Sequence, residues 1–299
     1  MRDWLRDILE VRTQRPDTIA EMARQRRRRA SLLGGDDQLF IIAADHPARG
    51  ALRVGDRAMA MADRAELLER LFVALGRPGV DGVLGTADIV EDLLLLGALD
   101  DKVVIGSMNR GGLAGTVFEI DDRFTGYDAA SIAQMGLDGG KMLLRIDPGD
   151  PATAATMQSC ARAVSDLAAG RLMAMVEPFI SHRADGRVRN DLSADAVIRS
   201  ITVASGLGTT SAYTWLKIPV VDDMERVLAA STLPALLLGG EVSADQDAAF
   251  GRWRKALQFP SVRGLVVGRA LLYPPDGDVQ NAVDIAASLV RPALVGGRD

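Results

Sequence analysis

The feature that most constrains the fold of this chain is an alternation of eight short apolar runs with longer segments of helical periodicity. The apolar runs lie at 39–45, 80–86, 102–108, 140–147, 172–178, 212–220, 234–240 and 263–270. Segments between them, such as 63–76 and 193–206, begin with Asp or Ser and end with Gly, the residues typical of helix caps. This pattern predicts parallel strands and an α/β fold, a (β/α)8 or TIM barrel, with a doubly wound open sheet as the alternative.

The predicted organisation is one domain with an N-terminal addition. Residues 1–38 are expected to form a helical extension and residues 39–299 the barrel, which suits a chain of 299 residues with 48% hydrophobic content. The basic run RQRRRRA (24–30), which spans Arg24 to Arg29, is expected to be a solvated helix face or a subunit contact.

Composition and charge exclude several classes of function. The net charge of −5 gives no sign of a nucleic-acid partner, and the sequence contains no apolar run of membrane-spanning length. The N-terminus does not resemble a signal peptide, and one cysteine, Cys160, excludes an intrachain disulfide framework. With only His46 and His182, a metal site built on imidazoles is not expected. We therefore predict a cytoplasmic protein without a metal or other cofactor.

One lysine occupies an unusual place in an apolar segment. The chain has four lysines among its 35 Lys and Arg residues, and Lys217 lies within YTWLKIPVV (213–221). A buried ammonium is costly, yet a lysine, unlike an arginine, can lose its proton and act as a nucleophile. The alternative is a strand-end lysine whose amine reaches solvent.

Side-chain alternation along the predicted strands adds Lys141 and Glu177 to Lys217. If the charged faces of these neighbouring strands point inward, the two amines and the carboxylate meet near the barrel axis. A neutral lysine attacks a carbonyl, the carboxylate moves protons, and the resulting iminium accepts electrons when a C–C bond breaks. The expected reaction class is a retro-aldol cleavage.

Glycines end the last two apolar runs. Gly239 and Gly240 are the last two residues of the seventh run, while Gly268 and Arg269 lie near the end of the eighth. In TIM barrels, main-chain N–H groups after these two strands commonly bind phosphate, and Arg269 would add a charged contact.

Seven segments together resemble class I, Schiff-base-forming aldolases of the fructose- and tagatose-1,6-bisphosphate aldolase group. The segments are AADHPARG (43–50), RGGLAGT (110–116), GKMLLRID (140–147), VEPF (176–179), WLKIP (215–219), LLGGEVS (237–243) and VGRALLY (267–273). The resemblance implies that Lys217 forms the Schiff base, Lys141 is an accessory lysine and Glu177 is the acid/base carboxylate. It further implies that Asp45 assists C–C cleavage or positions substrate hydroxyls. The phosphate-binding residues that it implies are Gly239, Gly240, Gly268 and Arg269.

The chain departs from this group at the predicted distal end of the substrate. A further lysine of some members is missing from 107–110, and Leu238 occupies the position of a serine. The candidates to bind a distal phosphate or carboxylate are Arg49, Arg53, Arg110 and Arg145. A variant of the pattern also resembles actinobacterial proteins of inositol breakdown, which implies cleavage of 2-deoxy-5-keto-gluconate 6-phosphate to dihydroxyacetone phosphate and malonate semialdehyde.

Other functions remain open at this point. A metal-dependent aldolase, a deoxyribose-phosphate-type aldolase and a non-catalytic sugar-phosphate-binding barrel are alternatives, and a homo-oligomer is expected. For His46, which follows Asp45, a place in the site and a place outside it are both open. His182 is expected in a solvated loop after Glu177. Cys160 is expected to be a small core residue.

Overall fold

The computed structural model describes residues 3–240 and 245–292, which contain nine strands. The strands are β1 (Leu39–Ala43), β2 (Gly82–Gly85), β3 (Val103–Ser107), β4 (Gly139–Ile146), β5 (Met173–Ala184), β6 (Arg187–Asn190), β7 (Thr214–Ile218), β8 (Ala235–Leu238) and β9 (Val262–Val267). All strands except β6 lie in, or extend from, the eight apolar runs that the sequence predicts as strands.

Eight of these strands form a closed parallel barrel. Their order around it is β1, β2, β3, β4, β5, β7, β8 and β9, and β9 pairs with β1 to complete the circle. The predicted TIM barrel is therefore confirmed, and the alternative of an open sheet is wrong.

Helices surround the barrel. They are α1 (Asp3–Gln14), α2 (Thr18–Gln25), α3 (Arg64–Leu75), α4 (Ala87–Leu95), α5 (Ala129–Gln134), α6 (Ala152–Ala169), α7 (Ala194–Ser205), α8 (Met224–Leu228), α9 (Gln246–Ala256), α10 (Arg269–Leu272) and α11 (Val279–Val290), with a 3-10 turn at Pro47–Arg49. Asp63, Asp128 and Ser193 cap α3, α5 and α7 by accepting main-chain hydrogen bonds, as their positions in the sequence indicate. None of the helices in the described ranges combines the length and apolar character needed to cross a bilayer.

The barrel interior is filled by side chains of alternate strand residues. Ile41 and Ala43 of β1 share a buried cluster with Ile105, Met175 and Leu236 from strands elsewhere around the circle. A larger cluster lies between the barrel and its helices, and it includes Cys160, which is fully buried as expected. Because the alternation continues to the end of each strand, polar side chains at the strand ends also point inward.

A hairpin extends one side of the barrel mouth. β5 continues past the barrel as far as Ala184, and β6 returns antiparallel to it, with His182 opposite Arg189. The expectation that His182 lies in a loop was therefore wrong. Asp185 and Gly186 connect the strands with positive φ angles of 52° and 73°, as a tight Asp-Gly hairpin turn requires.

The basic run crosses the opposite, N-terminal face of the barrel. Because α2 ends at Gln25, the expectation of a helix face was wrong. The buried Arg26 guanidinium donates hydrogen bonds to the carbonyl oxygens of Leu99, Lys102 and Gly136, at 3.3, 2.8 and 2.7 Å. These carbonyls precede β3 and β4, so this arginine holds the N-terminal segment against the strand starts.

Two further contacts fix this segment. Arg29 forms an ion pair with Asp81 just before β2, at 2.8 Å, and the side chains of Leu32 and Leu33 pack against the inner cluster of the barrel. The segment that joins α2 to β1 therefore covers the closed end of the barrel, which leaves the C-terminal mouth as the open end.

Candidate active site

Four charged side chains meet inside the C-terminal mouth. Asp45 follows β1, Lys141 lies on β4, Glu177 on β5 and Lys217 on β7. The Lys217 ammonium lies 2.9 Å from one oxygen of Glu177, and Lys141 forms an ion pair with the other. Lys141 also lies 3.2 Å from Oδ2 of Asp45. The structure thus brings together the four residues that the sequence nominates for chemistry, and all four are buried.

Electrostatic coupling in this cluster opposes the cost of burial. Burial disfavours ionised Glu177, but Lys141 and Lys217 outweigh it and lower the Glu177 pKa to about 2. Burial likewise opposes ionisation of Asp45, yet Lys141 and Arg110 hold its pKa well below the usual range. Burial lowers the pKa of Lys141, and Asp45 and Glu177 counteract it. Both carboxylates are therefore ionised in the resting site.

Asp45 is held on one side of its carboxylate. Arg110 donates to Oδ2 from both terminal nitrogens, at 3.0 and 3.1 Å, and to the main-chain carbonyl of Asp45 at 2.6 Å. Lys141 and the Ser107 hydroxyl also donate to Oδ2, at 3.2 and 3.4 Å. Nδ1 of His46 lies 3.9 Å from Oδ1. This leaves Oδ1 as the less engaged oxygen.

His46 lies at the edge of the same site. Its Nδ1 is buried and has no hydrogen-bond partner among the described residues. Burial lowers the His46 pKa to about 3, against the attraction of Asp45. A Cβ built on Gly268 would lie 3.1 Å from the His46 ring, so the imidazole lies between Asp45 and the end of β9.

The predicted phosphate-binding segments are adjacent because β8 and β9 pair in the barrel. Gly240 has a φ of +68°, and Gly239 precedes it directly after β8. Gly268 precedes α10, and a side chain there would overlap the carbonyl oxygen of Ala43, so only glycine fits.

Arg269 follows Gly268 and donates to the carbonyl oxygen of Arg53 at 3.2 Å. Part of the motif LLGGEVS, residues 241–243, lies outside the described residues. Phosphate binding by these segments therefore stays a prediction.

The loop between β3 and α5 covers part of the mouth, and Arg49 anchors it. This buried arginine donates to the carbonyl oxygens of Asn109 and Gly112, at 2.6 and 2.8 Å, and forms an ion pair with Asp122 at 2.5 Å. The amide side chain of Asn109 in turn bonds to both main-chain groups of Leu143 on β4. The loop is therefore tied to β1 and β4.

Arg145 makes a second anchor for the same loop. It lies at the end of β4, is buried, and forms an ion pair with Glu119. Asp122 lies 4.0 Å from its other terminal nitrogen. Three of the four arginines proposed for distal substrate recognition, Arg49, Arg110 and Arg145, thus lie at the mouth, where Asp45 or carboxylates of the loop already contact them. Whether they also bind substrate stays a prediction.

Sequence reasoning missed four residues that shape this site: Ser107, Asn109, Glu119 and Asp122. Ser107 could have been found, since it shares the inward face of β3 with Ile105 and stands in register with Lys141. Glu119 and Asp122 lie outside the strand and helix patterns, and their arginine partners are distant in the sequence. Sequence alone therefore does not identify them. Within the part of the chain that the structure describes, no group of three or more His, Cys, Asp or Glu is arranged to hold a metal ion.

One protein family and several solved structures resemble this chain. The sequence model of the Cgl0159-like family matches residues 37–287. The crystal structure of Cgl0159 from Corynebacterium glutamicum shares 56% identity over 98% of both chains, with a TM-score of 0.95. No curated protein matched the chain.

Two more distant structures share the fold. An archaeal fructose 1,6-bisphosphate aldolase has 19% identity over 91% of this chain and 98% of its own, with a TM-score of 0.64. A Schiff base forming fructose-1,6-bisphosphate aldolase has 20% identity over 91% and 99%, also with a TM-score of 0.64. At these identities the likeness shows a shared barrel architecture.

Proposed function

The chain belongs to the Cgl0159-like family, and we propose that it is a class I aldolase, a lyase that acts through an imine on Lys217. In this proposal the substrate is a phosphorylated keto-sugar or keto-sugar acid, and the products are dihydroxyacetone phosphate and an aldehyde. The observation that carries the proposal is Glu177, held between the amines of Lys141 and Lys217 inside the barrel mouth. A barrel that only binds a sugar phosphate has no need of two buried amines on one carboxylate.

The contacts favour Lys217 over Lys141 as the nucleophile. Lys141 touches two carboxylates, Asp45 and Glu177, which both stabilise its ammonium form. Lys217 has one such partner among the described residues. An amine held by a single carboxylate is freer to turn towards a substrate carbonyl, so in this proposal Lys217 attacks the carbonyl and Lys141 stays between Asp45 and Glu177.

Glu177 is suited to move the protons of imine formation. Its pKa of about 2 reflects two cationic neighbours. When Lys217 becomes a neutral carbinolamine, one of these charges is lost and the pKa of Glu177 rises. Glu177 relays to the carbonyl oxygen the two protons that the Lys217 nitrogen loses between ammonium and iminium, one during attack and one during dehydration, so that the oxygen leaves as water.

Carbon–carbon cleavage then requires a base at the hydroxyl β to the imine carbon. The base takes the hydroxyl proton, the oxygen electron pair forms the aldehyde C=O, and the pair of the broken C–C bond enters the iminium to give an enamine. Asp45, ionised and next to Lys141, is the proposed base. Protonation and hydrolysis of the enamine release dihydroxyacetone phosphate and restore Lys217.

The proposal assigns the two ends of the substrate to different parts of the mouth. The phosphate next to the imine would bind at Gly239, Gly240, Gly268 and Arg269. The distal phosphate or carboxylate would lie towards Arg49 and Arg145. The candidate substrates are 2-deoxy-5-keto-gluconate 6-phosphate and the fructose and tagatose bisphosphates, and no cofactor is needed.

Borohydride trapping tests the imine directly. The protein is incubated with dihydroxyacetone phosphate, reduced, and digested for peptide mass spectrometry. We expect a ligand-dependent adduct on Lys217, no adduct in Lys217→Met, and an unchanged adduct in Lys255→Met, which removes an amine from α9. An adduct on Lys141 instead would reverse the roles of the two amines.

The same experiment decides between an aldolase and a binding barrel. If neither dihydroxyacetone phosphate nor any candidate substrate gives an adduct while calorimetry detects sugar-phosphate binding, the proposal is wrong and the barrel is a non-catalytic binder. If adducts form, turnover of each candidate substrate, measured with dihydroxyacetone phosphate as the product, identifies the sugar.

A further inference from the structure

Arg110 makes a contact that separates it from the other arginines at the mouth. Arg49 and Arg145 form ion pairs with carboxylates of the β3–α5 loop, whereas Arg110 forms its ion pair with Asp45. Its three hydrogen bonds to Asp45 reach both the Oδ2 atom and the main-chain carbonyl. Only 7% of Arg110 is exposed, so this pair is shielded from solvent and fixed in geometry.

We propose that Arg110 is a positioning residue that locks the Asp45 carboxylate so that its Oδ1 atom receives the substrate hydroxyl proton. This inference rests on the proposed aldolase function and goes beyond it, since it assigns a role to Arg110 other than substrate binding and selects one of two carboxylate oxygens. Arg110 acts through Asp45 and does not touch the reacting atoms.

The distribution of donors around Asp45 supports the choice of oxygen. Arg110, Lys141 and Ser107 all donate to Oδ2, which leaves that oxygen with little capacity to accept another proton. Among the described residues, no donor lies within hydrogen-bond distance of Oδ1, and His46 is 3.9 Å away. A free oxygen on a rotationally fixed carboxylate is what a general base requires.

The charge of Arg110 is needed as well as its shape. Lys141 is shared between Asp45 and Glu177, so one ammonium serves two buried carboxylates. A second cation at Asp45 keeps this buried group ionised while Glu177 exchanges protons during imine formation. An arginine does not lose its proton at the pH values at which enzymes work, so the positive charge beside Asp45 is permanent.

The test compares three variants with the wild type: Arg110→Met, Arg110→Lys and Asp122→Asn. Arg110→Met removes charge and geometry, and Arg110→Lys keeps the charge but loses the paired donors. Asp122→Asn is the control for a loosened β3–α5 loop, since Asp122 contacts Arg49 but not Asp45. Each protein is assayed for borohydride-trapped adduct on Lys217, for kcat of cleavage, and for the pH dependence of kcat.

We expect adduct formation within about twofold of wild type in all variants, because Arg110 contacts neither Lys217 nor Glu177, the residues proposed to form the imine. Loss of an oriented general base lowers kcat by about 10²-fold in Arg110→Met. Removing a cation raises the pKa of Asp45, so the acid limb of the kcat profile moves to higher pH. Arg110→Lys recovers most of the pH shift and only part of kcat, while Asp122→Asn leaves the acid limb in place.

Two results would overturn the inference while the proposed function stands. One is normal adduct formation with wild-type kcat and acid limb in Arg110→Met. The other is an equal displacement of the acid limb by Asp122→Asn, which would place the effect in the loop. Arg110→Lys keeps the buried charge and serves if Arg110→Met does not fold, because an unchanged kcat in it refutes a role for the paired geometry. Absence of any adduct in the wild type would instead refute the aldolase function itself.

Discussion

Replacing Lys141 by methionine removes the cation that joins the two carboxylates of the site, and its effect on stability follows from the structure. Asp45 and Glu177 are both buried and both contact this ammonium. Removing one partner of a buried ion pair leaves uncompensated charge and costs about 3–5 kcal/mol. We therefore expect Lys141→Met to lose about 3–5 kcal/mol of the free energy of unfolding near neutral pH.

The pH dependence of this loss comes from Glu177 and Asp45, since Lys141 lowers the pKa of both carboxyl groups, and it can be worked out for Glu177. Its pKa falls from 4.5 in the unfolded chain to about 2 in the folded protein, a difference that corresponds to about 3 kcal/mol. Because the folded pKa is the lower one, this stabilisation is complete above pH 4.5 and disappears as the pH falls towards 2. In Lys141→Met only Lys217 opposes the burial of Glu177, so this contribution shrinks. The difference between variant and wild type should be largest above about pH 5 and smaller near pH 3.

Urea unfolding of both proteins at a series of pH values measures this difference. Lys102→Met is the matched control, because the Lys102 ammonium donates to a carbonyl, that of Val80, at 2.7 Å. That variant should lose only about 1–2 kcal/mol, with little change over the same pH range. Equal and pH-independent losses in the two variants would refute the argument that Lys141 compensates the buried carboxylates.

Three further predictions concern other parts of the molecule. Since burial lowers the His46 pKa to about 3, its imidazole should stay neutral between about pH 5 and 8, and an NMR titration with a midpoint near its ordinary pKa would contradict this burial. Gly268→Ala should lower the free energy of unfolding by about 1–3 kcal/mol through overlap with the neighbouring strand, whereas Gly251→Ala, in open space on α9, should raise it by about 0.5–1 kcal/mol; equal effects in denaturant unfolding would show that the space around each glycine does not matter. Arg26→Met should cost about 3 kcal/mol, because three main-chain carbonyl groups lose their donor, while kcat stays unchanged; a fall in kcat without a loss of stability would contradict a purely structural role.

The part of the fold that follows strand and helix periodicity could be predicted from the sequence. Side chains alternate between the two faces of each predicted strand, which determines which of them share a face. Closure of the parallel strands into a barrel then brings the inner faces together. Lys141, Glu177 and Lys217 could therefore be placed together, because each lies on a strand whose neighbours are known once the barrel is assumed. Their chemical roles stay predictions.

Periodicity fails where the chain leaves the barrel. Residues 108–127 form a loop whose shape depends on ion pairs such as those of Glu119 and Asp122, and these partners can be identified only in three dimensions. The hairpin beyond the barrel is different, since Asp185 and Gly186 are a strong turn signal between two polar strands. The Asp-Gly pair therefore indicates this hairpin from the sequence alone.

The basic run shows how tertiary contacts override composition. Consecutive arginines resemble a solvated surface, yet Arg26 is buried because three carbonyl groups at the start of neighbouring strands accept its hydrogen bonds. Nothing in the local sequence distinguishes it from Arg27, which remains exposed beside Asp100 and Asp101. The distinction depends on residues that lie far along the chain.

The pairing of β1 with β9 also means that β1 is synthesised long before its second neighbour. β1 ends at Ala43 and its second neighbour begins at Val262, so at about 5–20 residues per second a ribosome needs roughly 10 to 45 s to produce the missing partner. Throughout that interval one edge of an entirely apolar strand has no native partner, and such edges pair readily with other chains. The nascent protein is therefore most vulnerable to aggregation before its last strand emerges, and shielding by a chaperone during this period should raise the yield of folded protein.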